Sequence, residues 1–86
     1  MATITRPQLE QITDALDLDY DDVREDYSGR SMYGRTCLGF TTDATAYRLG
    51  VIMARVLGDE ADDLSCVSDS MGMGMIYYFP GLTVED

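Results

Sequence analysis

Tyr27-Ser28-Gly29-Arg30 and, three residues on, Tyr33-Gly34-Arg35 set two Gly-Arg pairs among flat aromatic rings and hydroxyls. Residues of these types suit recognition of an anion. Backbone amides freed by glycine and the fork of a guanidinium hold phosphate, a tyrosine face stacks on a base, and serine supplies a hydroxyl. A second glycine-rich stretch, Asp69-Ser70-Met71-Gly72-Met73-Gly74, adds a carboxylate and a hydroxyl able to take ribose hydroxyls. The expected site is therefore a ligand-binding cradle made of Tyr27, Ser28, Gly29, Arg30, Tyr33, Gly34, Arg35, Asp69, Ser70 and Gly72. The opposing reading is that Arg30 and Arg35 pair with Glu25, Asp26 or the other acids and merely fix a loop.

Other chemistries find less support. The chain has no histidine, and all six basic residues are arginine, so the commonest general base and the Schiff-base amine are missing. Cys37 and Cys66 lie in apolar contexts and are expected to be free, buried and structural, without a bridge. Asp17, Asp19 and Asp21 open like a calcium loop, but Asp22 stands where the turn glycine belongs and Ser28 where the closing glutamate belongs. No metal and no cofactor are expected, and the chain is read as a binding protein without enzymatic activity.

The acids themselves carry a second hypothesis. Net charge is −10 in 86 residues, and seven of the thirteen residues from Asp14 to Asp26 are acidic. Such a charge disfavours direct contact with nucleic acid or anionic lipid. It is either a solvated face that keeps a small protein apart from its neighbours or an imitation of phosphate spacing that steers the chain onto a basic groove.

These residues need a scaffold to position them. Hydrophobic content of 45% with regular apolar spacing fits one folded domain spanning 1–86. Thr5 and Gln8 form a capping box ahead of Leu9, Ile12 and Leu16, which predicts a helix ending near Asp17. The alternation in "DLDYD" predicts an extended segment turning Leu18 and Tyr20 inward. "TCLGFTT" predicts a strand with Thr36, Leu38 and Phe40 on one face and Cys37, Gly39 and Thr41 on the other. A second helix follows, capped by Asp43, carrying Ala46, Leu49, Ile52, Met53, Val56 and Leu57, and closed by Gly58. Gly50 within it predicts a close neighbour. "DEADD" is expected to be a loop, "LSCVS" a strand, "DSMGMG" a turn, and "MIYYF" a strand stopped by "PG". The fold class is α+β: an antiparallel sheet of three or four strands with two helices packed on one face, in the order α-β-α-β-β. The other face, with Tyr77, Tyr78 and methionines, is expected to meet a second copy in a homo-oligomer.

Tyr27 to Phe40 and Ser68 to Leu82, about a third of the chain, resemble short bacteriophage and prophage proteins with a Tyr-Ser-Gly-Arg-x-Met-Tyr-Gly stretch and a downstream Asp-Ser-Met-Gly stretch. The resemblance implies a phage origin and, by class, a counter-defence role in the host cytosol. The leading expectation is sequestration of a nucleotide-derived anionic ligand. The alternative is an acidic inhibitor that mimics nucleic acid and binds a host defence nuclease, and a third is a structural subunit of a particle. No membrane association is expected: the longest apolar run is too short to span a bilayer, and the N-terminal stretch has no apolar core like that of a signal peptide.

Overall fold

The structure is a computed structural model that describes residues 2–29, 32–71 and 74–85. Thr5 caps the first helix as its spacing dictates: its Oγ1 accepts from the amide of Gln8 at 3.3 Å, and the Gln8 side chain accepts from the Thr5 amide at 2.8 Å. The helix, α1 (Arg6–Leu16), ends at Asp17, whose left-handed φ of 54° lets the chain turn back. Ahead of it, β1 (Ala2–Thr5) pairs in parallel with β6 (Leu82–Glu85), joining the two ends of the chain.

The main sheet has four antiparallel strands in the order β2-β3-β5-β4. They are β2 (Val23–Tyr27), β3 (Cys37–Thr41), β4 (Val67–Met71) and β5 (Gly74–Phe79). Helix α2 (Ala46–Leu57) crosses between β3 and β4. The α+β class, the four-stranded antiparallel sheet and the two helices agree with the sequence reading; β1, β2 and β6 are additional. Leu9, Ile12 and Leu16 of α1 and Leu49, Ile52, Met53 and Leu57 of α2 share one core with Leu38, Phe40 and Phe79 of the sheet, closed by Ile4 and Leu82. Both helices thus lie on one face. Phe40 and Phe79 meet edge to face at 6.2 Å within it.

Several local expectations are corrected. Thr45, not Asp43, caps α2, accepting from the Arg48 amide at 3.1 Å. Asp43 sits exposed in the preceding bend, where Thr42 Oγ1 already holds the Ala44 amide. A β-carbon at Gly50 would meet nothing within 4 Å, so nothing among the described residues packs close there. The "DLDYD" stretch is not extended throughout: Tyr20–Asp22 form a 3-10 turn, closed by the Asp22 carboxylate accepting from the Asp19 amide, and Tyr20 is 92% exposed. The acidic segment after Leu57 is also 3-10 (Gly58–Asp63). Asp69 and Ser70 lie within β4, paired with Ile76 and Met75, rather than in the turn. Cys37 is buried, as expected, but Cys66 is exposed; both are free.

The outer face of the sheet is roofed by the chain itself. Across β3 and β5, Gly39 stands opposite Tyr78 and Cys37 opposite Tyr27 on β2. Met32, Cys37 and Tyr78 form a small second core, with Tyr27 and Val67 against it. The face expected to be open for a second copy is therefore covered where Tyr78 lies. No described helix is long and apolar enough to cross a membrane.

Candidate functional site

Tyr27 and Asp69, from the two stretches singled out in the sequence, do meet. The Tyr27 hydroxyl donates to Asp69 Oδ2 at 2.8 Å, and its ring lies 5.0 Å from that of Tyr78. Tyr27 packs across the sheet beside Gly39: a β-carbon there would sit in ordinary contact with Tyr27 Cβ at 3.4 Å and tightly, at 3.1 Å, against Ile76 Cδ1. Gly29 presses its backbone onto the Tyr78 ring so closely that a β-carbon would fall 2.5 Å from Cζ. At Gly29 the close approach of the backbone to a ring accounts for the glycine, and at Gly39 a side chain would be tight against Ile76. Burial and the Asp69 carboxylate both favour neutral Tyr27, and its pKa is pushed up from 10.0 to about 12. Burial also raises the Cys37 thiol, so this cysteine is held as a packed, uncharged group.

Tyr27 and Asp69 thus satisfy each other and anchor the loop that follows. The Met32 amide donates to the Gly29 carbonyl and the Arg35 amide to the Met32 carbonyl, each at 3.0 Å. In the second of these turns Tyr33 (φ 51°) and Gly34 (φ 86°) are both left-handed, the I′ pattern. Glycine adopts this conformation freely, whereas a tyrosine pays roughly 1–2 kcal/mol. Tyr33 nonetheless holds it, with its side chain 89% exposed.

This turn forms one wall of a cleft of about 570 Å³ lined by Met32, Gly34, Arg35, Thr36, Pro80, Gly81 and Thr83. The register of the sheet builds it. Leu38 pairs with Phe79, which sets the residues before β3 beside the turn after β5. That turn, Pro80–Gly81, has a left-handed Gly81 (φ 86°) and swings the chain from the main sheet into β6. Met32 is buried and belongs to both the second core and the cleft, so the Tyr27–Asp69 anchor and the cleft wall are one packed unit.

Arg35 is exposed and, among the described residues, has no ion pair. Glu25 is instead held by Arg6 of α1 through two hydrogen bonds of 2.9 and 3.0 Å. Among the described residues, the lining of the cleft beside Arg35 includes no carboxylate. Three other clefts all have them: Glu10, Asp19, Asp21, Glu25 and Asp26 in a groove between α1 and β2, Asp17, Asp22 and Asp43 beyond it, and Asp62 beside α2.

The expected site residues are therefore divided. Gly34 and Arg35 line the cleft, and Tyr33 stands between two of its lining residues. Tyr27, Gly29 and Asp69 support the loop from below, while exposed Ser28 and Ser70 line no part of the cleft. Arg30 and Gly72 lie outside the described residues. Thr36, Pro80, Gly81 and Thr83 were missed. The "PG" pair was visible as a strand stop, but its place beside Arg35 depends on the β3–β5 register, which alternation alone does not specify.

The described residues form a small α+β domain with a recess beside Arg35 whose described lining includes no acid. No family model matches the chain, and no curated protein or solved structure matches it either.

Proposed function

We propose that this chain is a non-enzymatic, phage-type counter-defence protein that sequesters a small anionic, nucleotide-derived ligand in the cleft beside Arg35. One observation carries the binding reading: in a chain of net charge −10, Arg35 lacks a carboxylate partner among the described residues and lines a recess whose described residues include no acid. A guanidinium left unpaired in so acidic a protein is poised for an external anion. Thr36 and Thr83 offer hydroxyls to the same ligand, and Tyr33 offers an exposed ring for stacking on a planar group. The volume is within the usual range for small-molecule sites. The phage and counter-defence part of the proposal rests on the sequence resemblance.

The test is calorimetry of the intact protein against cyclic and ADP-ribose-type nucleotides, repeated with Arg35→Ala. Binding by the wild type and its loss in the variant, with an unchanged circular dichroism spectrum, is the expected outcome. Heat from no nucleotide, or undiminished binding by Arg35→Ala, would falsify the assignment.

The acidic-inhibitor reading is favoured by a different observation. Tyr20, 92% exposed, stands on the groove lined by Glu10, Asp19, Asp21, Glu25 and Asp26, an aromatic anchor amid like charge. It requires binding to a basic protein groove that weakens steeply with salt and is lost when Asp19, Asp21 and Asp26 are changed together to asparagine.

A further inference from the structure

We infer that the open edge of β2 takes up a short basic strand of a partner protein, held by backbone hydrogen bonds along the acidic groove between α1 and β2. This rests on the acidic-inhibitor reading of that groove and adds the form in which the partner lies there.

The order of the sheet leads to it. β2 is an outer strand with β3 on one side, so its other edge has no strand alongside. The groove follows that edge. Val23 pairs with Phe40 of the main core and Arg24 with Gly39 on the opposite face, yet both line the groove. Side chains of a strand alternate between its faces, so a cleft bounded by both kinds runs along the edge rather than over either face. Such an edge offers backbone donors and acceptors to a further strand. The Val23 amide already donates to the Tyr20 carbonyl, so the pairing lies beyond it, between Arg24 and Tyr27. The register shift within that stretch keeps the partner strand short.

Floor and rim set the sequence of the strand. Leu9 is buried, and Leu18 and Val23 are half-buried against the same core. They make a floor for every second side chain of the partner, which should be apolar. On the rim, carboxylates outnumber arginines. Arg6 holds Glu25, whereas Glu10, Asp19, Asp21 and Asp26 have no ion pair among the described residues. The local charge and the net −10 of the chain therefore have the same sign, and both favour lysine or arginine at the alternate positions. Tyr20, 92% exposed, offers its ring to such a cation. A second copy is disfavoured at this edge, because its own β2 brings the same acids.

The experiment titrates the isotope-labelled protein with a peptide of about eight residues, alternating lysine and valine, in about 50 mM NaCl. A second peptide of the same sequence is N-methylated at every internal residue, which removes backbone donors and keeps the charge and the side chains. The first peptide should shift the amides between Arg24 and Tyr27 and slow their hydrogen exchange. The methylated peptide should bind roughly tenfold more weakly. Asp21→Asn with Asp26→Asn should weaken the first peptide severalfold, whereas Asp59→Asn with Glu60→Gln, the same change in net charge outside the groove lining, should change little. Equal binding of the two peptides overturns strand addition and leaves the groove as a site for basic chains held by charge alone. If neither peptide binds, or if both pairs of substitutions weaken binding equally, the acidic-inhibitor reading of the groove falls with it.

Discussion

Tyr27 and Tyr33 are six positions apart and face opposite demands. Tyr27 is half-buried with its hydroxyl on Asp69, so Tyr27→Phe should destabilise the fold by about 1 kcal/mol, the usual worth of one hydrogen bond whose partner is left behind. Its titration supplies a sharper test. The folded pKa of about 12 stands above the unfolded value near 10.0, so the native state keeps its proton where the unfolded chain has lost it. The stabilisation is complete below pH 10 and disappears between pH 10 and 12. Urea unfolding across that interval should show stability falling as pH rises, and the fall should be smaller in Tyr27→Phe; parallel profiles would place the shift elsewhere. Tyr33 presents the converse case, because its left-handed backbone and exposed ring suit stability poorly. Tyr33→Asn, a residue that tolerates this conformation, should raise stability by up to about 1 kcal/mol while weakening nucleotide binding. If stability drops in this variant, the ring is supporting the turn and is not held there for a ligand.

Among the elements, those legible in the sequence are the ones whose signal is local. The α1 capping box, the three-and-four spacing of α2 and the strand at β3 all lie within short windows, and the structure contains each of them; the β4–β5 pair is also present, but β4 begins at Val67 rather than Leu64 and runs on through Asp69 and Ser70. The strands that were missed are made by distant partners. Thr3 and Ile4 become β1 only because Thr83 and Val84 lie alongside, at the other end of the chain. Val23-Arg24-Glu25-Asp26-Tyr27 has no apolar alternation and becomes β2 only by pairing with β3. The cap of α2 was misplaced because Asp43 and Thr45 are both good caps two residues apart, and the next helical amide in reach is that of Arg48. The same limit applied to the candidate site: the loop was visible in the sequence, but its opposite wall at Pro80–Gly81 and Thr83 needed the sheet register. Gly50 supplies the prediction at this scale. Since a β-carbon there has open space and the helix continues through it, Gly50→Ala should stabilise the protein by about 1 kcal/mol through helix propensity alone. A loss of stability on thermal melting would point to a contact made by another molecule at that position.

For the molecule as a whole, the imbalance of charge is a term in folding as well as in recognition. Sixteen acids face six arginines, and the ion pair between Arg6 and Glu25 joins side chains that are 39% and 45% exposed, where such pairs contribute little. The acids crowd onto α1, the Tyr20–Asp22 turn, β2 and the Gly58–Asp63 turn, so folding gathers like charges that the unfolded chain holds further apart. Salt screens that repulsion, while the apolar core beneath the helices is indifferent to modest ionic strength. The melting temperature should therefore rise as NaCl is raised from about 20 to about 500 mM, opposite to the response of a protein stabilised by ion pairs. Stability should climb smoothly with salt. A melting temperature that falls with salt would show that attraction dominates the folded charge pattern.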